Sequence, residues 1–267
     1  MTLFRSVGLT LIFLFFMFLN LGCIQQSISP GLQSTDKSDS TIRVGISANA
    51  LPFASKQGGG IRGLEPAFAS MLGEYLNKKI ELIEVPWKDQ IDFLNSGKTD
   101  IIMSGMTITK QRSYLVDFAK PYLRSGQIML VRMEDGQRFS TGVSSLLNTN
   151  YRIGIVADTV SDYFVTMAIN KANGIVFKTS QQAVDALVKR EIDVFVYDAP
   201  IICYYAAKHQ QDKLIPIVTM ATEEYIGWAV KKNDSALLTQ LNNFIDALEK
   251  QGKLQDEIKY WIPYLYR

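Results

Sequence analysis

Apolar and polar positions alternate in two regular ways along the chain. Thr41–Ser47 alternates them with a period of two, which predicts a first β-strand. Leu64–Tyr75 repeats apolar side chains at helical spacing, which predicts an amphipathic helix. The same patterns predict strands over 80–85, 99–103, 153–156 and 226–230, and helices over 235–250 and 254–260. Strands and helices in this alternating order are typical of α/β folds with parallel sheets.

One unit of this pattern occurs twice. Segments 92–103 and 185–196 each contain a helix end, a tight turn and a buried strand, with two aspartates at the same spacing. The first segment leads into Ser104 and the second into Asp198. Both exits lie at the carboxyl ends of predicted strands, where open α/β sheets bind ligands. The repetition therefore predicts two α/β lobes, each contributing residues to one site.

An arginine stands in the first turn of the short helix predicted after Ser104. Thr109 is placed to cap this helix, since its hydroxyl can accept from a free N–H group of the first turn. Arg112 then lies at the positive end of the helix dipole, where a cation costs a few tenths to about 1 kcal/mol. An anion bound by the guanidinium and by free backbone N–H groups would offset that cost. The alternative is a surface arginine paired with a local carboxylate such as Asp117.

The order of the predicted strands divides the chain into two discontinuous lobes. A strand-like run over 126–132 leads out of the first lobe, and the chain returns to it near Ala221. We therefore expect lobe 1 to comprise 41–131 and 221–267, and lobe 2 to comprise 132–220. Two crossings between lobes make a hinge, and closure around a ligand is the expected motion.

The N-terminus has the features of an export signal. An apolar run ends at Cys23, a pattern typical of bacterial lipoprotein signal peptides. We expect residues 1–23 to be this signal peptide, Cys23 to carry a lipid anchor in the membrane, and the polar residues 24–40 to form a flexible tether. Asn20 stands where the pattern prefers leucine, so an uncleaved anchor and ordinary secretion are alternatives. In each case the domain lies outside the cytoplasm.

Composition argues against several classes of function. The 28 Lys and Arg and 26 Asp and Glu are interspersed, so no basic stripe indicates nucleic-acid binding. Cys23 and Cys203 have no metal-ligand spacing to each other or to the single histidine, His209, so neither a metal site nor a cofactor is expected. Cys203 is expected in the core and His209 in solvent. The glycines over 58–60 are not a phosphate-binding loop, because no Gly-Lys-Ser/Thr follows them.

The stretch around Arg112 resembles a known protein family. The chain contains Gly105-Met106-Thr107-x-Thr109-x-x-Arg112, followed by Asp117-Phe118 and Pro121-Tyr122. These motifs resemble those of the family 3 solute-binding proteins, the extracytoplasmic amino-acid receptors of ABC importers. The resemblance runs from about Thr41 to the C-terminus. It implies a two-lobed periplasmic-binding-protein-like fold of type II with the ligand in the inter-lobe cleft. It also implies a monomer that delivers an amino acid to an ABC permease with a cytoplasmic ATPase.

The resemblance implies a set of ligand-binding residues. Arg112 would bind the α-carboxylate of an amino acid in two hydrogen bonds, and Asp198 would bind its α-ammonium. Trp87 would form an aromatic wall of the pocket. The remaining implied contacts are Ser104, Gly105 and Thr107 in lobe 1 and Thr159 and Val160 in lobe 2. The alternatives are that Asp198 caps the helix at Pro200 and that Trp87 is a core residue.

Several departures from the family pattern bear on the ligand. Relatives commonly have glycine where Asp158 stands and an aromatic residue where Ala50 stands. Members that bind lysine or arginine often have an acid where Ser47 stands, although Glu65 or Asp158 could compensate here. Val156 replaces a polar residue of some glutamine-binding members. These changes favour a neutral amino acid, apolar or aromatic.

Two other classes of function are alternatives to a binding protein. Some relatives resembling cyclohexadienyl dehydratase eliminate water from an amino acid or from its analogue prephenate. That chemistry needs a general acid, and only Asp158 and Glu65 are candidates, because Ala199, Pro200 and Ile201 after Asp198 cannot transfer protons. We therefore expect no enzyme activity. A sensory ligand-binding module is the third class, and it would need a separate signalling partner.

Overall fold

The computed structural model describes residues 41–169 and 173–263. The predicted signal peptide, the lipid anchor at Cys23 and the tether over 24–40 lie outside these residues and stay predictions. None of the helices in the described part of the chain is long and apolar enough to cross a membrane.

Strands and helices alternate along the described residues. The strands are β1 Thr41–Ile46, β2 Asn49–Ala50, β3 Ala54–Gln57, β4 Gly60–Arg62, β5 Lys79–Glu84, β6 Ile101–Ile102, β7 Val116–Phe118, β8 Leu123–Ser125, β9 Gln127–Arg132, β10 Arg152–Val156, β11 Asn173–Phe177, β12 Val194–Asp198, β13 Leu214–Ile217, β14 Glu224–Ile226 and β15 Ala229–Lys231. The helices are α1 Leu64–Leu76, α2 Gln90–Asn95, α3 Lys110–Leu115, α4 Val160–Ala168, α5 Ser180–Val188, α6 Ala199–Lys208, α7 Ser235–Lys250 and α8 Lys253–Trp261. Short 3₁₀ helices cover Trp87–Asp89, Met133–Phe139 and Gly142–Leu146. The strand predicted over 226–230 is divided into β14 and β15, which belong to different sheets.

Two five-stranded sheets form the body of the molecule. The first has the order β5-β1-β6-β15-β7, with β1 parallel to both β5 and β6. The second has the order β11-β10-β12-β9-β13, with β10 parallel to β11 and β12. Helices α1 and α2 pack on the first sheet, and α4, α5 and α6 pack on the second. The two predicted α/β units with parallel strands are therefore present.

Each of the two repeated segments forms the same kind of ion pair. Asp100, just before β6, accepts hydrogen bonds from the backbone N–H of Arg43 at 2.7 Å and from its guanidinium. Asp193, just before β12, accepts the same two kinds of bond from Arg152, at 2.8 and 2.7 Å. In each sheet the pair ties the start of one strand to the start of its parallel neighbour. Asp100 and Asp193, the second aspartate of each segment, are therefore structural residues that fix strand register.

The two sheets are joined by closely packed crossings. Strands β8 and β14 pair antiparallel between the sheets. Gly126 follows β8, and a Cβ atom there would lie 2.3 Å from the carbonyl oxygen of Thr222 on the returning chain. The backbone N–H of Gln127 donates to Thr222 Oγ1 at 2.8 Å. Only glycine lets the two crossings approach this closely, which makes them a defined hinge.

The first crossing lies earlier than expected. We assigned 41–131 to lobe 1, but β9 is hydrogen-bonded to β12 and β13 in the second sheet. Its apolar pattern does not reveal this, because a strand buried on both faces fits either sheet equally well. The chain therefore enters the second sheet at Gln127. The other lobe limits, including 221–267 and the end of 132–220, stay predictions.

The largest fully buried side chain, Trp228, is the centre of the core beside the first sheet. Its ring centroid lies 5.5 Å from that of Phe68, 5.2 Å from that of Tyr122 and 5.7 Å from that of Phe244. Aromatic pairs at these distances add to the stabilisation from area burial alone. The indole N–H of Trp228 donates to the carboxylate of Glu65 at 2.8 Å. A charged group therefore lies within this aromatic core.

The structure tests the predicted environments of two single residues, Cys203 and His209. Cys203 is buried and free, as predicted. The expectation of a solvated His209 is wrong, because its side chain is only 15% exposed and its Nδ1 lies 2.7 Å from Asp212 Oδ2. The turn after α6 folds Asp212 back onto the ring, a local contact that helical spacing does not reveal.

Candidate functional site

A cavity of about 350 Å³ lies between the two sheets. This volume is at the small end of the range of small-molecule sites. All eight residues predicted to bind the ligand line it, and they come from both sides: Trp87, Ser104, Gly105, Thr107, Arg112, Thr159, Val160 and Asp198. The structure thus brings the predicted set together in one place. Whether each of them contacts a ligand stays a prediction.

The loop after β6 forms one wall of the cavity. Ser104 Oγ accepts from the backbone N–H of Ser47 at 2.9 Å and donates to the carbonyl of Gly45 at 3.2 Å. Gly105 has a φ of 64°, and a Cβ atom there would lie 2.6 Å from the ring of Phe53. Glycine is therefore required at this turn. Ser104 fixes the loop to β1, so its hydroxyl is already engaged within the protein.

Glu65 holds the same loop from below. It is fully buried, and its carboxylate accepts from Gly105 N–H at 2.6 Å, Tyr122 O–H at 2.6 Å and Trp228 N–H at 2.8 Å. Burial raises the pKa of Glu65, and these three hydrogen bonds oppose that rise. Glu65 does not line the cavity. The alternative in which Glu65 contacts the ligand or acts as a general acid is therefore wrong, because its oxygens face the core.

Replacing Glu65 with glutamine should lower the free energy of unfolding by about 1–3 kcal/mol. One carboxylate oxygen becomes an NH₂ group, so at least one of the three donors loses its acceptor inside the core. Urea denaturation would measure the loss. Glu74→Gln, at an exposed position on the same helix, is the control and should leave stability within about 0.5 kcal/mol. Equal stability of both variants would contradict this role of Glu65.

Arg112 points from α3 into the cavity. The predicted cap is confirmed: Thr109 Oγ1 accepts from the backbone N–H of Arg112 at 3.2 Å. The guanidinium donates to the carbonyl of Thr107 at 2.9 Å and lies 5.2 Å from the ring centre of Trp87. Burial lowers the pKa of Arg112, opposed by the nearby carboxylates of Asp198 and Glu224. The guanidinium is thus held facing the cavity, and its other N–H groups remain available to a ligand.

The surface-pair alternative for Arg112 is wrong. Asp117 forms an ion pair with Lys232 at 2.6 Å and accepts from the backbone N–H of Asn233 at 2.8 Å. These contacts lower the pKa of Asp117. The pairing depends on a segment more than a hundred positions away, which local spacing does not indicate.

Asp198 lies at the end of β12, on the other side of the cavity. It precedes α6, but its side chain makes no capping hydrogen bond, so the cap alternative is wrong. Its Oδ1 accepts from Gln127 Nε2 at 2.5 Å. Burial, followed by the repulsion of Glu224, raises the pKa of Asp198 to about 7. Among the described residues, Asp198 and Arg112 do not form an ion pair with each other.

Sequence reasoning missed Gln127 and Glu224. Gln127 is fully buried at the start of β9, and Glu224 is buried at the start of β14. Gln127 Nε2 lies 3.1 and 3.2 Å from the two carboxylate oxygens of Glu224. One signal for Gln127 was present in the sequence. It is the polar first residue of an otherwise apolar run over 127–131, next to a predicted crossing between the lobes.

The turn after β10 forms the wall opposite Arg112. Thr159 Oγ1 accepts from the backbone N–H of Asp162 at 3.4 Å and donates to the carbonyl of Val156 at 2.7 Å. The backbone N–H groups of Thr159 and Val160 open α4 and have no partner among the described residues. Asp158 is exposed, with a φ of 60°, a left-handed conformation that glycine adopts most readily. This turn presents free N–H groups to the cavity.

Trp87 spans the mouth of the cavity. It is half-buried, so it is neither a core residue nor a surface residue. Its indole N–H donates to the backbone carbonyl of Asp158 at 2.9 Å, across the two lobes. The contact joins residues 71 positions apart. Trp87 therefore links the lobes through one directional hydrogen bond.

Replacing Trp87 with phenylalanine should weaken ligand binding by about 0.5–1.5 kcal/mol, roughly 2- to 12-fold. An aromatic ring stays at this position, because phenyl replaces indole, but the inter-lobe hydrogen bond to the carbonyl of Asp158 is lost. Isothermal titration calorimetry would measure the change. Trp261→Phe is the matched control, since it removes an indole N–H bond to Glu257 within α8, away from the cavity. Equal affinity in both variants and in wild type would rule out a role for the inter-lobe bond.

Comparisons with known proteins agree with this geometry. The sequence profile of the bacterial extracellular solute-binding proteins, family 3, matches residues 42–264. The chain is 30% identical over 216 residues to a "Probable histidine-binding protein" of Neisseria gonorrhoeae, covering 79% of each protein. It is 22% identical over 263 residues to the cyclohexadienyl dehydratase of Pseudomonas aeruginosa, covering 91% of this chain and 93% of that relative.

The fold is also similar to that of a solved structure. The crystal structure of the ancestral amino acid-binding protein AncCDT-1, a precursor of cyclohexadienyl dehydratase, matches with a TM-score of 0.77 and 30% identity. The match covers 84% of this chain and 96% of that one. The expected two-lobed α/β fold of type II is therefore confirmed.

Proposed function

Because the chain belongs to the bacterial extracellular solute-binding proteins of family 3, as the motif around Arg112 predicts, we propose that it binds a neutral α-amino acid for an ABC importer. The amino acid lies in the cavity between the lobes, and the lobes close on it about the crossings at Gly126 and Thr222. The closed form then delivers it to a permease driven by a cytoplasmic ATPase.

One observation carries this proposal. A guanidinium from one lobe and a carboxylate from the other face the same cavity of about 350 Å³ without pairing with each other. Arg112 and the free N–H groups of Thr159 and Val160 would bind the α-carboxylate, since a helix N-terminus and a guanidinium both favour an anion. Asp198 would bind the α-ammonium through the oxygen that Gln127 leaves free. A zwitterion is the ligand that fits both ends.

The rest of the lining supports a neutral side chain. Ser47, Ala50 and Val156 line the cavity at the positions where an acid, an aromatic or a polar residue would change the ligand class. Lys88 and Lys178 also line it, one from each lobe, and both are exposed. Two ammonium groups near the rim disfavour a ligand with a cationic side chain.

A dehydratase is the second candidate, and Asp198 is the reason. A buried carboxyl group with a pKa of about 7 has the properties of a general acid, and a dehydratase is among the relatives. We still favour binding without turnover, because the ammonium of an amino acid would hold Asp198 ionised. Incubating purified protein with prephenate and with arogenate should give no dehydration product by chromatography.

The experiment that tests the binding function is a thermal-shift screen of the purified domain against the common amino acids. A bound ligand at a hundred times its dissociation constant adds about 2.7 kcal/mol of stability. We expect one or more neutral amino acids to raise the melting temperature, and lysine and arginine to raise it less. A screen in which no amino acid stabilises the protein, or in which only cationic ones do, would reject the proposal.

The location of the protein gives a separate prediction. We propose that Cys23 carries a lipid and that 24–40 tethers a monomeric domain to the membrane outside the cytoplasm, since Cys23 ends an apolar signal-like run. Cys23→Ala should move the protein from the membrane fraction to the soluble fraction or leave an uncleaved precursor. Cys203→Ala, at the buried free cysteine, is the control. A mature protein that starts well before or after Cys23 by mass spectrometry would contradict lipidation.

A further inference from the structure

A second buried carboxylate stands beside Asp198. Glu224 is 7% exposed and opens β14, on the chain that returns from the second sheet. Its carboxylate accepts from Thr222 Oγ1 at 2.6 Å, from Gln127 Nε2 at 3.1 and 3.2 Å, and more weakly from Thr107 Oγ1 at 3.4 Å. Each of these donors is neutral. Glu224 therefore has no ion-pair partner among the described residues.

Gln127 connects the two carboxylates. Its Nε2 lies within hydrogen-bonding distance of Asp198 Oδ1 and of both oxygens of Glu224. An amide NH₂ group has two hydrogens, so it cannot satisfy three oxygens fully. Two carboxylates that approach one nitrogen this closely repel each other when both are ionised.

The surrounding charges do not balance the pair. Among the described residues, Arg112 is the cation that acts on both Asp198 and Glu224, and the neighbouring phenol of Tyr197 is neutral because burial raises its pKa. Two carboxylates against one guanidinium leave one negative charge in excess. In the ligand-free cavity a proton on Asp198 removes that excess. The ammonium of an amino acid at Asp198 would take the place of that proton, while Arg112 and the free N–H groups that open α4 would stabilise its carboxylate.

We propose that Glu224 is a positioning residue whose negative charge, held beside Asp198 by Gln127, makes Asp198 keep a proton in the empty cavity, and that capture of the ligand's ammonium at Asp198 releases this proton to solvent. The proposal rests on the proposed function, because it needs an ammonium at Asp198. The proton leaves a carboxyl O–H bond, and an N–H donor of the ligand takes its place at the same oxygen. Together with the burial of Asp198, Glu224 thereby makes amino-acid binding dependent on pH.

The direction of the pH effect follows from Asp198. Its pKa of about 7 means that the ionised form, which binds the ammonium, falls from nearly all to a few per cent between pH 8.5 and 5.5. Apparent affinity scales with the competent fraction, so wild type should bind about thirtyfold more weakly at pH 5.5 than at pH 8.5. Binding near pH 6.5 should also release protons.

Calorimetry with L-glutamine, L-leucine and L-phenylalanine as probes tests this, at pH 5.5 to 8.5 and in two buffers of different ionisation enthalpy. Glu224→Gln removes the neighbouring charge that raises the pKa of Asp198. We expect the pH effect on affinity to shrink below tenfold, with less proton release. Glu224→Asp should restore the pH dependence. Glu223→Gln is the matched control, since its side chain is 61% exposed and pairs with Arg124, and it should behave as wild type.

The outcomes are distinguishable. A pH effect that shrinks in Glu224→Gln, and not in Glu223→Gln, supports a proton held at Asp198 by the charge of Glu224. A merely structural Glu224 would weaken binding by the same factor at every pH, and that result overturns the inference while leaving the proposed function intact. If the affinity of the wild-type protein does not depend on pH, the inference is also overturned, and the proposed function again stays intact. If neither the three probes nor any other neutral amino acid of the thermal-shift screen binds at any pH, the proposed function fails, and the inference falls with it.

Discussion

Replacing Arg112 with alanine should weaken amino-acid binding by about 2–5 kcal/mol, roughly 30- to 5000-fold, which abolishes binding at micromolar ligand. The loss is large because the half-buried guanidinium lies at the cavity wall and is the charged partner we assign to the ligand's carboxylate. Arg112→Lys should recover only part of the affinity, because an ammonium cannot form two parallel hydrogen bonds to a carboxylate. Isothermal titration calorimetry gives the affinities.

A matched control lies on the same helix. Lys110 is exposed and does not line the cavity, so Lys110→Ala removes one positive charge from α3 without touching the site. It should bind as wild type. Because Arg112 also donates to the carbonyl of Thr107, thermal denaturation must show that Arg112→Ala is folded. A folded Arg112→Ala protein with wild-type affinity would mean that the carboxylate is bound elsewhere.

Replacing Asp198 with asparagine should cost a similar 2–5 kcal/mol in affinity, by removing the other half of the same zwitterion. The side chain keeps its shape and can still accept from Gln127, so the variant isolates the charge. A ligand analogue that lacks the α-amino group is the control, since it should bind wild type poorly and be nearly indifferent to the substitution. If Asp198→Asn binds the amino acid as tightly as wild type, the two-ended clamp is wrong.

The same variant should change stability in a definite direction. Folding raises the pKa of Asp198 from 3.8 to about 7, so the folded state holds the proton more tightly than the unfolded state does. The stabilisation that the protonated group provides is complete below pH 3.8 and is lost as the pH rises through about 7. Asp198→Asn should therefore be more stable than wild type at pH 8 without ligand, while the two converge in acid. Urea denaturation at both pH values measures this.

Local patterns predicted the parts of the site that lie within one segment. The cap at Thr109 and the position of Arg112 follow from helix-end chemistry over a few residues. Asp198 follows from the repeated unit, because each copy carries a strand whose end reaches the cavity. Helix α7 was predicted to the residue, since a long amphipathic pattern with a capping aspartate leaves few alternatives.

The parts that were missed depend on distant pairs. Gln127 and Glu224 are 97 positions apart, and their contact exists only because the two crossings meet at Gly126. The sequence left open whether Glu65 contacts the ligand, because its partner Trp228 lies 163 positions away in the core. A carboxylate has the same appearance in sequence whether its partner is a ligand or a tryptophan. Only the fold distinguishes the two.

The hydrogen bond between Trp87 and the carbonyl of Asp158 has a consequence for selectivity. Both partners belong to the protein, so the bond strengthens closure by the same amount whichever amino acid is inside. It therefore raises all affinities together and leaves their ratios unchanged. What it sets is the residence time, because a bond that must break before the lobes part slows dissociation, by roughly fivefold for about 1 kcal/mol. Discrimination between ligands and the rate of their release are thus assigned to different residues of the same cleft.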